Sequence, residues 1–184
     1  MSTHASMTGA DLHECKGAST ATVGQTIVAD GAGAATFKYA NPRGSVYYTS
    51  VGAGTAIVTP TVYTKFAPTT TASTIATEFT EATTARLTYT GTDTLDCRVI
   101  ANVGFSQTIA ADRDITVAIY KNGTIIAGSE NIATVGNVQK VHHTIIYDIA
   151  SLATNDYIEI YGKISGTGDI TILSLYLTAF CMRG

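Results

Sequence analysis

From Leu87 to the C-terminus, apolar residues return at every second position in one short segment after another. This period of two constrains the chain more than any other feature, because only an extended strand sorts such a pattern into one apolar and one polar face. In "LDCRVIANVGFS", Cys97, Val99, Ala101, Val103 and Phe105 fall on one face, with Arg98, Asn102 and Ser106 on the other. In "DITVAIYKNGTIIAGS", Ile115, Val117 and Ile119 share a face, and Asn122-Gly123 separates two apolar runs. Asn-Gly takes the positive φ angles of a type I′ turn, so this stretch reads as a hairpin. "VQKVHHTIIYDI" is a further strand. After the loop "ASLATND", "YIEIYGKI" alternates Ile158, Ile160 and Ile164 with Tyr157, Glu159, Tyr161 and Lys163.

The closing segment "ITILSLYLTAF" departs from the pattern. Leu173, Leu175, Leu177 and Ala179 occupy odd positions, and Ile170, Ile172, Tyr176 and Phe180 even ones. A strand apolar on both faces is covered on both faces. In a two-sheet sandwich one face meets the core, and the other then needs a partner subunit or another layer. Ile172, Leu173, Leu175, Tyr176, Leu177 and Phe180 are therefore expected at an interface between copies of the chain. With no amphipathic helical pattern competing, the fold expected is an all-β, antiparallel sandwich of about eight strands.

Upstream the pattern weakens. Residues 69–94 contain twelve threonines, which favour extended chain or edge strands over helix. Residues 1–45 are dominated by small residues with isolated apolar side chains and no period, as in "HECKGASTATVGQTIVADGAGAATFKYANPRG". This reads as an extended, irregular N-terminal arm (1–45) ahead of a β-sandwich domain (46–184) that is clearest from residue 85. Such an arm is expected to order on binding a partner.

Composition agrees with a covered surface. The chain has 184 residues and a mass of 19.2 kDa, with 45% hydrophobic but only 14% charged residues, against a usual charged fraction of about 25%. Small polar residues wet part of the exterior, and partners are expected to cover more of it. The net charge of −3 and the scattered Lys and Arg carry no footprint for nucleic acid or an anionic membrane. No apolar run is long enough to span a bilayer, and "MSTHASMTGADLHE" lacks the regions of a signal peptide. Cys15, Cys97 and Cys181 are far apart and odd in number. They suggest no disulfide framework, and assembly in a reducing cytosol.

The order "RLTYTGTDTLDCRVIANVGFS…DITVAIYKNGTII…DIASLATNDYIEIYGKISGTGDITILSLYLTAF" resembles the jelly roll of the tumour-necrosis-factor and complement-globular-head superfamily, in the form carried on tailed-bacteriophage virions. The likeness covers about 85–182, and residues 46–84 match nothing in it. In the arm, "KGASTATVGQTIVADGAGAATF" resembles a segment of phage head-fibre, decoration and tail-fibre proteins, through Thr22, Gly24, Gln25, Ala29, Asp30, Gly31 and Gly33. The resemblance implies a homotrimer on the virion surface, assembled in the host cytoplasm. It implies attachment to the major capsid protein or another virion component through the N-terminal part. The residues expected to anchor are Leu12, Lys16, Gln25, Ile27, Val28, Asp30 and Phe37. The function expected is a trimeric capsid decoration or cement protein, or a short head fibre. The alternative is a tail-fibre or receptor-binding tip that recognises a host glycan.

No motif asks for catalysis or a cofactor. "DGAGAAT" has neither the flanking strand and helix nor the Lys of a phosphate-binding loop, and reads as a glycine-rich turn. His13 and Cys15 form one ligand pair without a second, so no metal site is expected. His142 and His143 are adjacent on a strand, so they point to opposite faces and cannot share an ion within one chain. The pairs Asp93/Asp96 and Asp112/Asp114 sit at expected turns, where carboxylates bind backbone N–H groups. No nucleophile elbow or zinc-protease motif occurs, and the chain is read as a non-enzyme. Tyr157, Tyr161 and Tyr176 are the candidates for a glycan-stacking face, set against ordinary packing at a core edge.

Overall fold

The structure, a computed structural model, describes residues 21–29, 35–49, 53–57 and 60–183. In chain order its strands begin with β1 (Gln25–Ala29), β2 (Ala35–Tyr39), β3 (Arg43–Tyr48), β4 (Ala53–Ile57), β5 (Thr64–Lys65), β6 (Thr71–Ala72), β7 (Phe79–Ala82) and β8 (Arg86–Tyr89). They continue with β9 (Leu95–Gln107), β10 (Arg113–Lys121), β11 (Thr124–Ile125), β12 (Asn131–Val135), β13 (Lys140–Leu152), β14 (Tyr157–Ile164) and β15 (Gly168–Met182). The chain divides into two compact units, 1–40 and 41–184.

The second unit is an antiparallel jelly-roll sandwich. One sheet has the order β13-β9-β15-β3-β6, with β4 alongside the first part of β15. The other has the order β11-β10-β14-β8-β7, with β12 on β10 and β5 on β14. The alternation seen in the sequence fills the space between them. Val99, Ala101, Val103 and Phe105 of β9 meet Ile115, Val117 and Ile119 of β10 and Ile158, Ile160 and Ile164 of β14 in one core, all of them excluded from solvent. The Asn122-Gly123 turn joins β10 to β11 with φ of 53° and 75°, as a type I′ turn requires.

The described residues of 46–84, a stretch that matches nothing in the resemblance, belong to the sandwich. β3 pairs with β15 from Arg43↔Phe180 to Tyr48↔Leu175, so the sandwich begins before the expected boundary at 45/46. Phe66 is fully buried, and its ring lies against Gly162, which carries no side chain to displace it. β7 and β8 form the hairpin that closes the second sheet.

Two expectations are corrected. Cys97 and Cys181, opposite each other in the β9–β15 ladder, form a disulfide in the core. Their spacing of 84 residues is why the sequence showed no framework. Closing a loop of that length stabilises the fold by about 4.6 kcal/mol in the chain-entropy model. The third cysteine, Cys15, lies outside the described residues.

The second correction concerns the closing strand. Ile172 pairs with Phe105 and Ser174 with Gly104, so Leu173 is an extra residue. This β-bulge shifts the phase of the strand by one. Ile170 and Ile172 before it, and Leu175, Leu177, Ala179 and Cys181 after it, all point into the core. The strand looked apolar on both faces because its two halves are out of step.

Candidate assembly surface

The outer face of the first sheet is organised in rows that the strand registers define. Reading from β13 through β9 and β15 to β3, one row is Asp148, Arg98, Phe180 and Arg43. The next is Ile146, Ile100, Thr178 and Ser45, followed by Thr144, Asn102, Tyr176 and Tyr47. His142, Gly104 and Ser174 form a further row across three strands. Met182, opposite Asp96, lies at the end of the face.

Tyr47 (38%), Ile146 (60%), Tyr176 (42%), Phe180 (42%) and Met182 (74%) are all exposed on it, interleaved with the polar and charged members of the same rows. A groove of about 420 Å³ runs along Phe180 and Met182, with Asp96, Arg98 and Asp148 on its walls. Arg98 meets Asp148 with two bonds of 2.8 Å, donated by Nε and Nη2 to the two carboxylate oxygens. The Arg98 bond holds Asp148 below the usual carboxylate range, and the same bond raises Arg98.

Of the residues expected at an interface, Ile172, Leu175 and Leu177 are enclosed by their own chain and offer a partner no side-chain surface. Tyr176 and Phe180 lie on the outer face, and Leu173 is half-buried at the bulge. The sequence reading missed Tyr47, Ile100, Ile146 and Met182. Each stands at a solvent-side position of its own strand, and only the sheet order brings them beside Tyr176 and Phe180.

The histidines divide as expected. His143 faces inward, 5% exposed, with its ring edge-on to Phe105 at 5.0 Å. Burial pushes its pKa down, and a backbone hydrogen bond with Asn131 opposes this only in part. His142 faces out over Gly104. A Cβ on that glycine would lie 2.6 Å from the imidazole Cε1, so the bare backbone makes the space in which the ring rests on the sheet.

Other candidates have structural employment. Asp96 Oδ1 accepts a bond from Ser151 N–H at 3.1 Å, Asp114 Oδ1 accepts from Thr134 Oγ1 at 2.6 Å, and Asp93 binds Arg183 Nε at 2.7 Å. On the outer face of the second sheet, Tyr161 stacks on Tyr120 with centroids 3.9 Å apart, and Arg86 lies 4.2 Å above the Tyr157 ring. Arg86 and Lys65 also bind Glu159, which is 1% exposed.

In the first unit, β1 and β2 form an antiparallel hairpin with Ile27 opposite Phe37 and Gln25 opposite Tyr39. Alternation places these four on one face and Val28, opposite Thr36, on the other. Gly24, at φ 91°, sits third in a turn closed by Gln25 N–H bonding Thr22 C=O at 3.1 Å. Gln25 Oε1 accepts from Thr22 N–H at 2.7 Å. Thr22, Gly24 and Gln25 of the resembling segment thus build the entry to the hairpin. Leu12, Lys16 and Asp30 lie outside the described residues, as do Gly31 and Gly33.

Solved structures resemble this chain. Murine APRIL aligns over 76% of this chain and 99% of its own at 12% identity, with a TM-score of 0.49. Eiger TNF from S. frugiperda aligns over 78% and 93% at 8% identity, with a TM-score of 0.47. The PRD1 vertex protein P5 aligns over 77% and 96% at 9% identity, with a TM-score of 0.44. No protein-family model and no curated protein sequence matches the chain.

Proposed function

We propose that the protein is a structural component of a phage virion: a homotrimeric capsid decoration protein, or a short head fibre, on the particle surface. The apolar outer face of the first sheet carries this reading, because Tyr47, Ile146, Tyr176, Phe180 and Met182 leave a patch suited to burial against further copies. The role is mechanical rather than catalytic. The hairpin with Ile27, Phe37 and Tyr39 on one face serves as the anchor to the capsid protein. A lone two-stranded hairpin is marginal in water, so docking against another surface suits it. Three weak anchors on one trimer then act at high effective concentration.

The chain enters the sandwich where it also leaves it, since Cys181 N–H bonds Pro42 C=O at 2.8 Å. The loops 108–112 and 165–167 lie at the other end of the long strands and would face outward. The alternative, a glycan-binding tip, relied on open tyrosine rings. Arg86 covers Tyr157 and Tyr120 covers Tyr161, so that reading has less support.

The test is co-sedimentation with purified capsids lacking the protein, comparing the full chain with a chain that starts at residue 41. Binding by the full chain and its loss on removing 1–40 is the expected outcome. Equal binding by both, or by neither, overturns the anchoring role.

A further inference from the structure

We propose that His143 is a proton-triggered release for the edge of the sandwich where β12 and β13 meet. That edge joins the two sheets, because β12 belongs to the second and β13 to the first. Polar contacts hold it. Asn131 Nδ2 donates to Thr144 C=O at 3.4 Å, the Tyr147 hydroxyl donates to Ala127 C=O at 2.7 Å, and the His143 ring bonds the Asn131 backbone. This last bond favours the charged ring, so the ring donates and the Asn131 C=O accepts. His143 Nδ1 is buried and has no hydrogen-bond partner among the described residues. The donor is then Nε2, and a proton added at Nδ1 meets no acceptor.

The surroundings decide what that proton does. His143 stands opposite Val103 of β9, with its ring edge-on to Phe105 at 5.0 Å. β9, β10 and β12 pack against β13, and their neighbouring inward residues are apolar, as with Phe105, Val117 and Ala133. Tyr147 shares the inner face of β13, and its hydroxyl is engaged at Ala127. The charged residues of these strands stand elsewhere. Asp96, Arg98, Lys140, His142 and Asp148 are on the outer face of the first sheet. Asp114 binds Thr134 on the outer side of β10. Arg113 and Lys121 sit at the two ends of β10, one beside Gly166 and the other paired with Asp156. Glu130, next to Asn131, turns to Tyr63 and Lys163. No carboxylate of these strands therefore faces the ring, and a charge on it would be buried without a counter-ion.

Burial holds the pKa of His143 in the closed fold below the ordinary histidine value, which is about 6.5. When the edge opens, water reaches the ring and that restraint is lifted. Between the ordinary value and the lowered one, the open state binds a proton that the closed state does not. Closure is at full strength above the ordinary value and weakens as pH falls below it. The opening constant then rises by up to about tenfold for each unit of pH in that window.

The experiment is amide hydrogen exchange of the full chain from about pH 7.5 to about pH 5.5, corrected for the intrinsic exchange rate at each pH, a range centred on the ordinary histidine value. His143→Phe is measured alongside, since it keeps a ring against Phe105 but cannot take a proton. In the parent, opening of segments 131–135 and 141–147 is expected to rise severalfold on the acid side, while His143→Phe shows no such rise. An opening constant that does not change with pH overturns the inference, and so does an equal rise in the variant. The imidazole resonances of the parent give a second reading that does not depend on the variant folding. A ring that stays neutral below about pH 6.5 sustains the inference, and one that titrates at or above that value overturns it.

Discussion

Glu159 is the clearest case of one residue whose surroundings decide its behaviour. Its carboxylate is 1% exposed and receives Lys65 Nζ at 2.5 Å and Arg86 Nε at 2.6 Å, with the Tyr161 hydroxyl donating at 3.3 Å. Burial alone pushes its pKa up, but the bonds and charges of Lys65 and Arg86 outweigh that and leave it lowered. A lowered folded value means that the stabilisation is present above the ordinary glutamate value and is lost as pH falls through the folded one. Glu159→Ala would leave two cations facing each other across the gap. It is expected to cost about 3 kcal/mol, read as a lower midpoint in urea at pH 7, with the difference from the parent shrinking in acid. Sequence alternation placed Glu159 on the outer face correctly. It could not show that Lys65, 94 residues away, would close over it.

At the level of elements, the strands were legible wherever a single period ran unbroken. β9, β10 and β14 fill one core with the residues that alternation picked out, and β13 lies where a further strand was read. The reading failed where the period was interrupted. In β15 the bulge at Leu173 puts even positions before it and odd positions after it on the same face, so counting by twos assigned core residues to an interface. β3 and β5–β7 were illegible for another reason. They are short and depend on partners far along the chain, such as Ile160 C=O for Phe66 N–H at 2.9 Å beside β5. Gly162 and Phe66 form one such dependence. In Gly162→Ala the new methyl would press into the Phe66 ring, which has no solvent-exposed space into which to move. Overpacking of this kind costs about 1–3 kcal/mol. Phe66→Leu, which shortens the ring side, is expected to recover part of the loss in the double variant, measured as non-additive thermal midpoints.

For the whole molecule, the feature that bears on the proposed assembly is the set of large apolar side chains exposed on the outer face of the first sheet among the described residues. Glutamate at the centre of such a face is tolerated in a monomer and excluded from a buried contact. Phe180→Glu is therefore expected to hold the chain at 19.2 kDa in light scattering, with circular dichroism unchanged because Phe180 takes no part in the core. A parent mass above 19.2 kDa that the variant retains would show that copies meet elsewhere.

The amino-acid sequence by itself determined the long strands β9, β10, β13 and β14, the core faces of β9, β10 and β14, and the Asn122-Gly123 turn. These depend on periodicity and on backbone torsion, both of which are local. Tertiary structure alone decided which strands lie side by side, and with that everything contributed by residues distant in sequence. The Cys97–Cys181 disulfide, the pocket of cations around Glu159 and the sheet face shared by Tyr47, Ile146, Tyr176 and Phe180 are all of this kind. A period of two says which way a side chain points. Only the order of strands in the sheet says what it meets there.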